Sequence, residues 1–124
     1  MKKFSKKWIA SKNRRKQRKY RRNATSNIRK RIIKINLNKE LRQKYKMRNI
    51  TPRKDDLVKI MRGKFKKKEG KINRLDLKKY KIYVEGINLT KKEGTKTSVP
   101  IDPSNLQIKE LNINDKKRFK ENLN

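Results

Sequence analysis

Hydrophobic and polar residues alternate in short runs along the second half of the chain. The runs are four to six residues long and rich in Ile, Val, Leu and Tyr, and most of the segments that separate them contain Gly, Asn or Pro. They are Leu57 to Met61, Gly70 to Leu75, Lys81 to Glu85, Ser98 to Ile101 and Leu106 to Leu111. Alternation with such punctuation is typical of antiparallel strands. The pattern predicts a mainly β fold, with a small five-stranded barrel over residues 55–111.

Short helices are predicted on both sides of these strands. Each begins at a residue whose side chain can accept hydrogen bonds from the first backbone N–H groups of a helix. They are a helix through Ile28, Ile32 and Ile33 capped by Thr25 or Ser26, a helix from Lys39 to Tyr45 capped by Asn38, and a helix from Asp115 to Asn122 capped by Asn114. The last is a charged helix with Phe119 as its one apolar anchor.

Charge is concentrated in the first half of the chain. The 124 residues include 42 Lys or Arg and 11 Asp or Glu, which gives a formal net charge of +31. Residues 1–54 contain 23 of the basic residues and one acid, Glu40. The first 34 residues contain 16 basic residues and no acid. Burial cannot offset repulsion and chain entropy in such a segment, so residues 1–24 are expected to become ordered on a polyanionic partner.

The composition excludes several kinds of chemistry. The chain has no Cys and no His, so disulfides, thiolate nucleophiles, His general bases and the usual zinc ligands are ruled out. Asp55 and Asp56 are adjacent, and on a strand their carboxylates would point to opposite faces. Accepting hydrogen bonds from backbone N–H groups at the start of a strand is their expected role. We expect no catalysis and no cofactor.

Apolar runs are too short for a membrane span or a secretory signal. The longest are of the size of Trp8-Ile9-Ala10 and Ile82-Tyr83-Val84. No membrane insertion is therefore expected. The chain is expected in the cytoplasm, or in the nucleus if the cell has one, where a strongly basic protein meets nucleic acid first.

The loop between Gly63 and Gly70 combines four lysines with one ring, Phe65. Such a loop suits contacts with phosphates beside a stacking platform. For Phe65 itself, packing into the core is the favoured interpretation, because aromatic residues are more often buried than stacked on a ligand. The two glycines stand where a tight β structure needs either a positive φ or a close approach of the backbone.

The basic N-terminal run also carries aromatic rings, at Phe4, Trp8 and Tyr20. Closely spaced Lys and Arg can follow a phosphate backbone while rings stack on unpaired bases. The alternative is a solvated tail. The sustained positive charge without acids favours an arm that binds nucleic acid.

Residues Asp56 to Gly86 resemble a KOW motif, a strand–loop–strand unit whose glycine falls at Gly70. Further segments match, in order and spacing, the archaeal and eukaryotic branch of the large-subunit ribosomal protein family numbered L-twenty-four, and the archaeal form more closely. These segments are Lys16-Gln17-Arg18-Lys19, Asn23-Ala24, Lys39-Glu40-Leu41-Arg42, Lys44-Tyr45, Arg53-Lys54, Tyr83-Val84-Glu85-Gly86 and Pro103-Ser104-Asn105. Lys67 departs from the family pattern, which usually has a glycine there.

The resemblance implies a three-part organisation. Residues 1–54 would be a basic RNA-binding extension with two short helices, residues 55–111 an SH3-like KOW barrel of five strands, and residues 112–124 a C-terminal helix or tail. The implied function is that of a structural constituent of the large ribosomal subunit. It would bind the 5′ region of the large-subunit ribosomal RNA near the polypeptide exit tunnel and support subunit assembly, next to neighbouring ribosomal proteins. The resemblance also places the loop Asn88 to Lys96 near targeting factors at the tunnel exit.

The residues expected to contact RNA are cations of the arm and of the barrel face. They are Arg14, Arg15, Arg18, Lys19, Arg21, Arg22, Arg53, Arg62, Lys64, Lys66 and Lys71. Two other functions fit parts of the pattern. A transcription elongation module shares the KOW barrel, and a chromatin-like DNA packer would combine a small β core with a basic arm. Sedimentation with large ribosomal subunits would separate the three.

Overall fold

Residues 6–120 form a mainly β structure with a few short helices, described here by a computed structural model. The strands in this part of the chain are β1 Ile35–Leu37, β2 Asn49–Ile50, β3 Leu57–Ile60, β4 Glu69–Asp76, β5 Lys81–Val84, β6 Asn88–Thr90, β7 Lys96–Ser98 and β8 Leu106–Glu110. The helices are α1 Arg14–Asn23, α2 Ser26–Ile32, α3 Lys39–Tyr45 and α4 Lys117–Lys120, with a 3-10 turn at Pro103–Asn105. Phe4 and the predicted end of the last helix, residues 121–122, lie outside the described residues.

Six strands form one sheet in the order β2-β1-β8-β3-β4-β5. Neighbouring strands are antiparallel except β1 and β8, which run parallel. Strands β6 and β7 pair with each other in a separate hairpin. The predicted mainly β fold is confirmed. The five-stranded closed barrel is not, because within residues 6–120 the sheet ends at β2 on one side and at β5 on the other.

Four of the five predicted strands are confirmed as β3, β4, β5 and β8. The prediction of a strand from Ser98 to Ile101 is wrong, since β7 ends at Ser98 and pairs with β6. Ile101 forms only an isolated bridge with Ile82 of β5. Pro100 lies between the two segments, and proline has no N–H group with which to continue a ladder.

The predicted helix-capping residues are confirmed in part. The Asn38 side chain accepts a hydrogen bond from the Leu41 N–H (2.8 Å) at the start of α3, as predicted. Thr25 occupies the cap position of α2 without a side-chain cap bond. Asp115, not Asn114, accepts from the Lys117 N–H (2.9 Å) at the start of α4. Helix α1, capped by Asn13, is an element that the sequence pattern does not predict.

Inward-facing aliphatic residues of the sheet form one core. The buried positions alternate along the strands, with pairs such as Val58 and Ile60 on β3 and Ile82 and Val84 on β5. Burial of each such side chain is worth about 1.5–3 kcal/mol. Ile33, which follows α2, belongs to the same core, so the segment that leads from α2 into the sheet is packed against the strands. None of the helices between residues 6 and 120 has the length and apolar character that crossing a membrane would need.

A buried ion pair fastens the C-terminal segment to the start of β3. Asp56 and Arg118 are 0% and 2% exposed, and both terminal nitrogens of Arg118 donate to the carboxylate (2.7 and 2.5 Å). The same carboxylate accepts from the backbone N–H groups of Arg53 (2.9 Å) and Asn112 (2.8 Å). The predicted role of Asp56, satisfying backbone donors where a strand begins, is confirmed.

Two surface contacts reinforce this attachment. Phe119 stacks on Tyr45 of α3, with ring centroids 4.8 Å apart, so it anchors the last helix as predicted. Arg53 forms an ion pair with Asp115. Its guanidinium, together with the Lys117 N–H, holds the pKa of the Asp115 carboxyl below its usual value.

Candidate nucleic-acid interface

Helix α1 carries all six residues that the sequence predicts for the arm. Seven of its ten residues are Arg or Lys, and all of them are exposed. At a rise of about 1.5 Å per residue the helix is a short rod roughly 15 Å long. Its cations cover more than half of its circumference, and Gln17 and Tyr20 lie on the remaining face. Tyr20 is half-buried because its ring stacks on Trp8, with centroids 4.5 Å apart. The two rings predicted to stack on bases therefore stack on each other.

The end of α1, the side of α2 and the β4–β5 turn border a shallow, open basic cleft of about 400 Å³. We call it the arginine cleft. It is lined by Arg18, Arg21, Arg22, Arg29, Lys78 and Tyr80. Three predicted arm residues therefore converge here with three residues that the sequence does not assign to the site. The β4–β5 turn could have been assigned to the site from its basic-aromatic sequence Lys78-Lys79-Tyr80. This sequence is similar in composition to the basic loop around Phe65.

Tyr80 connects the arm to the sheet. Its hydroxyl donates to the Arg21 carbonyl oxygen (2.5 Å), and the Arg21 guanidinium lies 4.6 Å from the ring centroid. The turn that presents it is built by Asp76, whose side chain accepts from the N–H groups of Lys78 and Lys79 (3.1 Å each). This Asx-type turn fixes the position of Tyr80, and Tyr80 in turn fixes the C-terminal end of α1.

Arg53 lies in a different cleft, between α2 and the end of β4. This cleft has a volume of about 1210 Å³ and is lined by Asn27, Lys30, Arg31, Ile33, Lys34, Thr51, Pro52, Arg53, Leu75, Leu77 and Arg118. Its lining combines apolar residues, such as Ile33 and Leu75, with basic ones. Arg53 is half-exposed and already paired with Asp115, so it contributes less unneutralised charge than the arm residues.

The remaining predicted residues lie around the β3–β4 loop and on β4. Arg62, Lys64, Lys66 and Lys71 are exposed. The loop is closed by backbone bonds, among them Lys67 N–H to the Ile60 oxygen (2.8 Å). Phe65 is half-buried and packs against the core, with the Lys68 ammonium 5.2 Å from its ring. The favoured interpretation of Phe65 as a packing residue is confirmed, and the lysines around it face solvent.

The ion pairs of the described residues lie away from the arm. Between residues 6 and 120 the ion pairs are Arg53–Asp115, Lys81–Asp102, Lys109–Glu69 and Arg118–Asp56. None of these pairs includes a cation of α1 or of the arginine cleft. Without a partner carboxylate, such a concentration of positive charge is an electrostatic footprint for an external polyanion.

Comparison with known proteins gives the family. A family model described as ribosomal proteins L26 (eukaryotic) and L24 (archaeal) matches residues 11–123. The large ribosomal subunit protein uL24 of the archaeon Methanoculleus marisnigri is 44% identical over 110 residues, which cover 89% of this chain and 91% of that protein. The chain therefore belongs to the ribosomal protein family that comprises eukaryotic L26 and archaeal L24, and it is of the archaeal type.

Proposed function

We propose that this cytoplasmic ribosomal protein is a structural constituent of the large subunit that binds the 5′ region of the large-subunit ribosomal RNA. The binding site would lie near the polypeptide exit tunnel, beside neighbouring ribosomal proteins, and binding would support subunit assembly. The observation that carries the proposal is the dense array of cations on α1 and in the arginine cleft, which has no carboxylate partner within residues 6–120. Phosphates of folded RNA supply the missing negative charge.

Neutralisation of phosphates is the mechanism we assign to this surface. Where two RNA helices approach each other their backbones repel, and a rod with cations over more than half of its circumference lowers that repulsion for both at once. Arg14, Arg15, Arg18, Lys19, Arg21 and Arg22 would act in this way on α1. A second set of contacts would come from Arg53, Arg62, Lys64, Lys66 and Lys71. The role is structural and includes no catalytic step.

The proposed organisation keeps three parts: residues 1–54 as the RNA-binding extension, 55–111 as the KOW unit and 112–124 as the C-terminal helix or tail. A barrel-like SH3 arrangement of the middle part is supported by the bridge between Ile82 and Ile101. Through it the chain touches β5 just before the 3-10 turn, and after the turn it pairs with β3 as β8. The segment 101–110 would thus close β3, β4 and β5 into a curved unit.

The β6–β7 hairpin is proposed to face protein partners, such as targeting factors or emerging chains at the tunnel exit. It forms a sheet of its own, and its apolar residue Leu89 is 45% exposed. Deletion of Thr90 to Thr95 should leave incorporation into the subunit intact while weakening crosslinks to nascent chains or to a targeting particle. Failure of the deletion variant to enter the subunit would instead make the hairpin an RNA anchor.

Sedimentation of a cell lysate, followed by RNA crosslinking, tests the proposed function. The protein should migrate with large subunits, and its crosslinks should fall in the 5′ region of the large-subunit RNA. Recovery with RNA polymerase would favour an elongation module instead. Recovery with chromatin would favour a DNA packer. Either result would overturn the ribosomal role.

A further inference from the structure

We propose that the arginine cleft binds at least two phosphates of a single RNA backbone and does so without selecting bases. This inference rests on the proposed function and adds to it a defined site with three further residues, Arg29, Lys78 and Tyr80. Five cations line the cleft. A phosphodiester carries one negative charge, so a single phosphate would leave most of this charge unneutralised.

Arg29 is held in place for such a contact. Its Nε donates to the Ala24 carbonyl oxygen (2.9 Å) and its Nη2 to the Arg22 carbonyl oxygen (2.6 Å). A guanidinium has five N–H groups in a rigid fork, so three remain for a ligand. Because two are fixed by the backbone, the side chain loses little rotamer freedom when an anion arrives.

Tyr80 acts as a positioning residue for two guanidiniums. Arg21 lies 4.6 Å and Arg29 5.8 Å from the centroid of its ring. Since these cations already lie over the ring, it is a poor platform for a nucleobase. The donors that face the cleft are guanidinium and ammonium groups, which suit phosphate oxygens. We therefore infer contacts to the RNA backbone that are independent of sequence.

The charges in the cleft are not neutralised from within the described chain. None of the lining residues is acidic. The nearest carboxylate along the chain, Asp76, accepts backbone N–H groups of the β4–β5 turn. Among residues 6–120, none of the ion pairs involves a cleft residue. A bound polyanion would relieve the mutual repulsion of the five cations and would hold α1 against the sheet.

Matched single-charge variants test the site. Affinity for a labelled transcript of the large-subunit RNA 5′ region, and for oligouridylate and oligoadenylate, would be measured with wild type, Arg29→Gln, Lys78→Gln and the control Arg48→Gln. Arg48 is exposed and lies outside the cleft lining. All three variants lose one charge, so a general effect of net charge is the same in each. Lys78→Gln keeps the test valid if Arg29→Gln misfolds, because it leaves the side-chain hydrogen bonds of Arg29 in place.

Both cleft variants should weaken binding about three- to tenfold for every RNA and lower the salt slope by about 1, whereas Arg48→Gln should change affinity less than about twofold. Equal losses in all three variants would overturn the cleft site while leaving RNA binding by the protein intact. No RNA binding by wild type would instead overturn the proposed function. A loss confined to one of the RNAs would contradict binding to the backbone.

Arginine Nε–H NMR signals give a second readout. Titration of the full chain with inorganic phosphate should shift the signals of Arg21 and Arg29 before those of Arg48. Tyr80→Phe, which keeps the ring but removes the bond to the Arg21 oxygen, should weaken that response. If phosphate shifts all arginine signals in parallel, the cleft is not a site. A response to phosphate without any effect of the cleft variants on RNA binding would indicate a site for small anions and contradict the RNA assignment.

Discussion

Gly70 is a position at which close packing of the backbone requires glycine. A Cβ built there would lie 2.6 Å from the Glu85 backbone oxygen and 2.8 Å from a methyl carbon of Val84. We expect Gly70→Val to lower the free energy of unfolding by about 1–3 kcal/mol, because the β4–β5 pair must separate to admit the side chain. Urea denaturation measures this. Asn73→Val is the control, since Asn73 is exposed on the same strand, and equal loss in both variants would contradict the clash.

Lys67 occupies a backbone conformation that suits glycine. Its φ is +71°, in the left-handed region that costs a residue with a Cβ about 1 kcal/mol. Lys67→Gly should therefore raise the free energy of unfolding by about 0.5–1 kcal/mol in thermal or urea melts. Lys66→Gly in the same loop, where φ is not positive, removes the same charge and should give no gain. A gain of equal size from both would point to relief of charge repulsion instead of backbone strain.

Asp56 and Arg118 form the pair whose loss should cost most. Asp56→Asn leaves a buried guanidinium without its countercharge, which typically costs about 3–5 kcal/mol. Urea unfolding of the single variants and of Asp56→Asn combined with Arg118→Met gives the coupling between them. The double variant should recover part of the loss. Asp115→Asn breaks an exposed pair and should have only a small effect. If it costs as much as Asp56→Asn, burial does not determine the energy of the pair.

Some of these residues can be identified from the sequence and others cannot. Gly70 can be identified because it stands between a basic loop and a strand, but only the structure distinguishes close approach of Glu85 from a positive φ. Asp56 is identified from its position at the start of a strand. Its partner Arg118 is not, because it lies 62 residues away and in a charged segment with several possible donors. Long-range side-chain pairs leave no periodic signal.

Helix α1 is the element that the hydrophobic pattern misses. None of its residues is buried, so it has no apolar stripe to reveal a helical period. The signal is in propensity, since Arg, Lys and Gln are good helix formers and Asn13 is a good cap. The strands β1, β2 and β6, and all of β7 except Ser98, are missed because two or three residues are too few to show alternation. Their existence depends on pairing with other strands, as β1 does with the distant β8.

The stability of α1 should depend on an anion. Like charges four residues apart, such as Arg14 and Arg18, each cost about 0.2–0.5 kcal/mol, and ten residues are too few for a stable isolated helix. In hydrogen exchange of the free protein, amides 14–23 should exchange quickly, and bound RNA should slow them. Helix α3, with its Asn38 cap and with Leu41 packed on the core, should be protected in both states. Equal protection of α1 and α3 without RNA would contradict this.

In the whole molecule, the apolar core and the positive charge occupy separate regions. The buried apolar residues form one core, while the cations of α1 and of the exposed loops remain on the surface. The sequence predicts this division, because the positions of basic and apolar residues along the chain can be read without knowing the topology. It does not predict how the sheet is ordered, since the parallel contact between β1 and β8 joins segments far apart in the chain. The arginine cleft arises from the tertiary arrangement, so only part of it can be found from the sequence.

RNA binding by the whole molecule should depend steeply on salt. If about 10 phosphates are neutralised, the slope of log K against log salt concentration should be steeper than about −6, because each contact releases close to one counterion. Fluorescence titrations across a range of KCl concentrations measure this slope. Replacing the six predicted cations of α1 by Gln should reduce its magnitude by about 4. Replacing Lys81 and Lys109, which are paired with Asp102 and Glu69, should change it less per charge. A wild-type slope near about −2 would mean that most of the +31 charge faces solvent, and neutralisation of RNA would not be the reason for this composition.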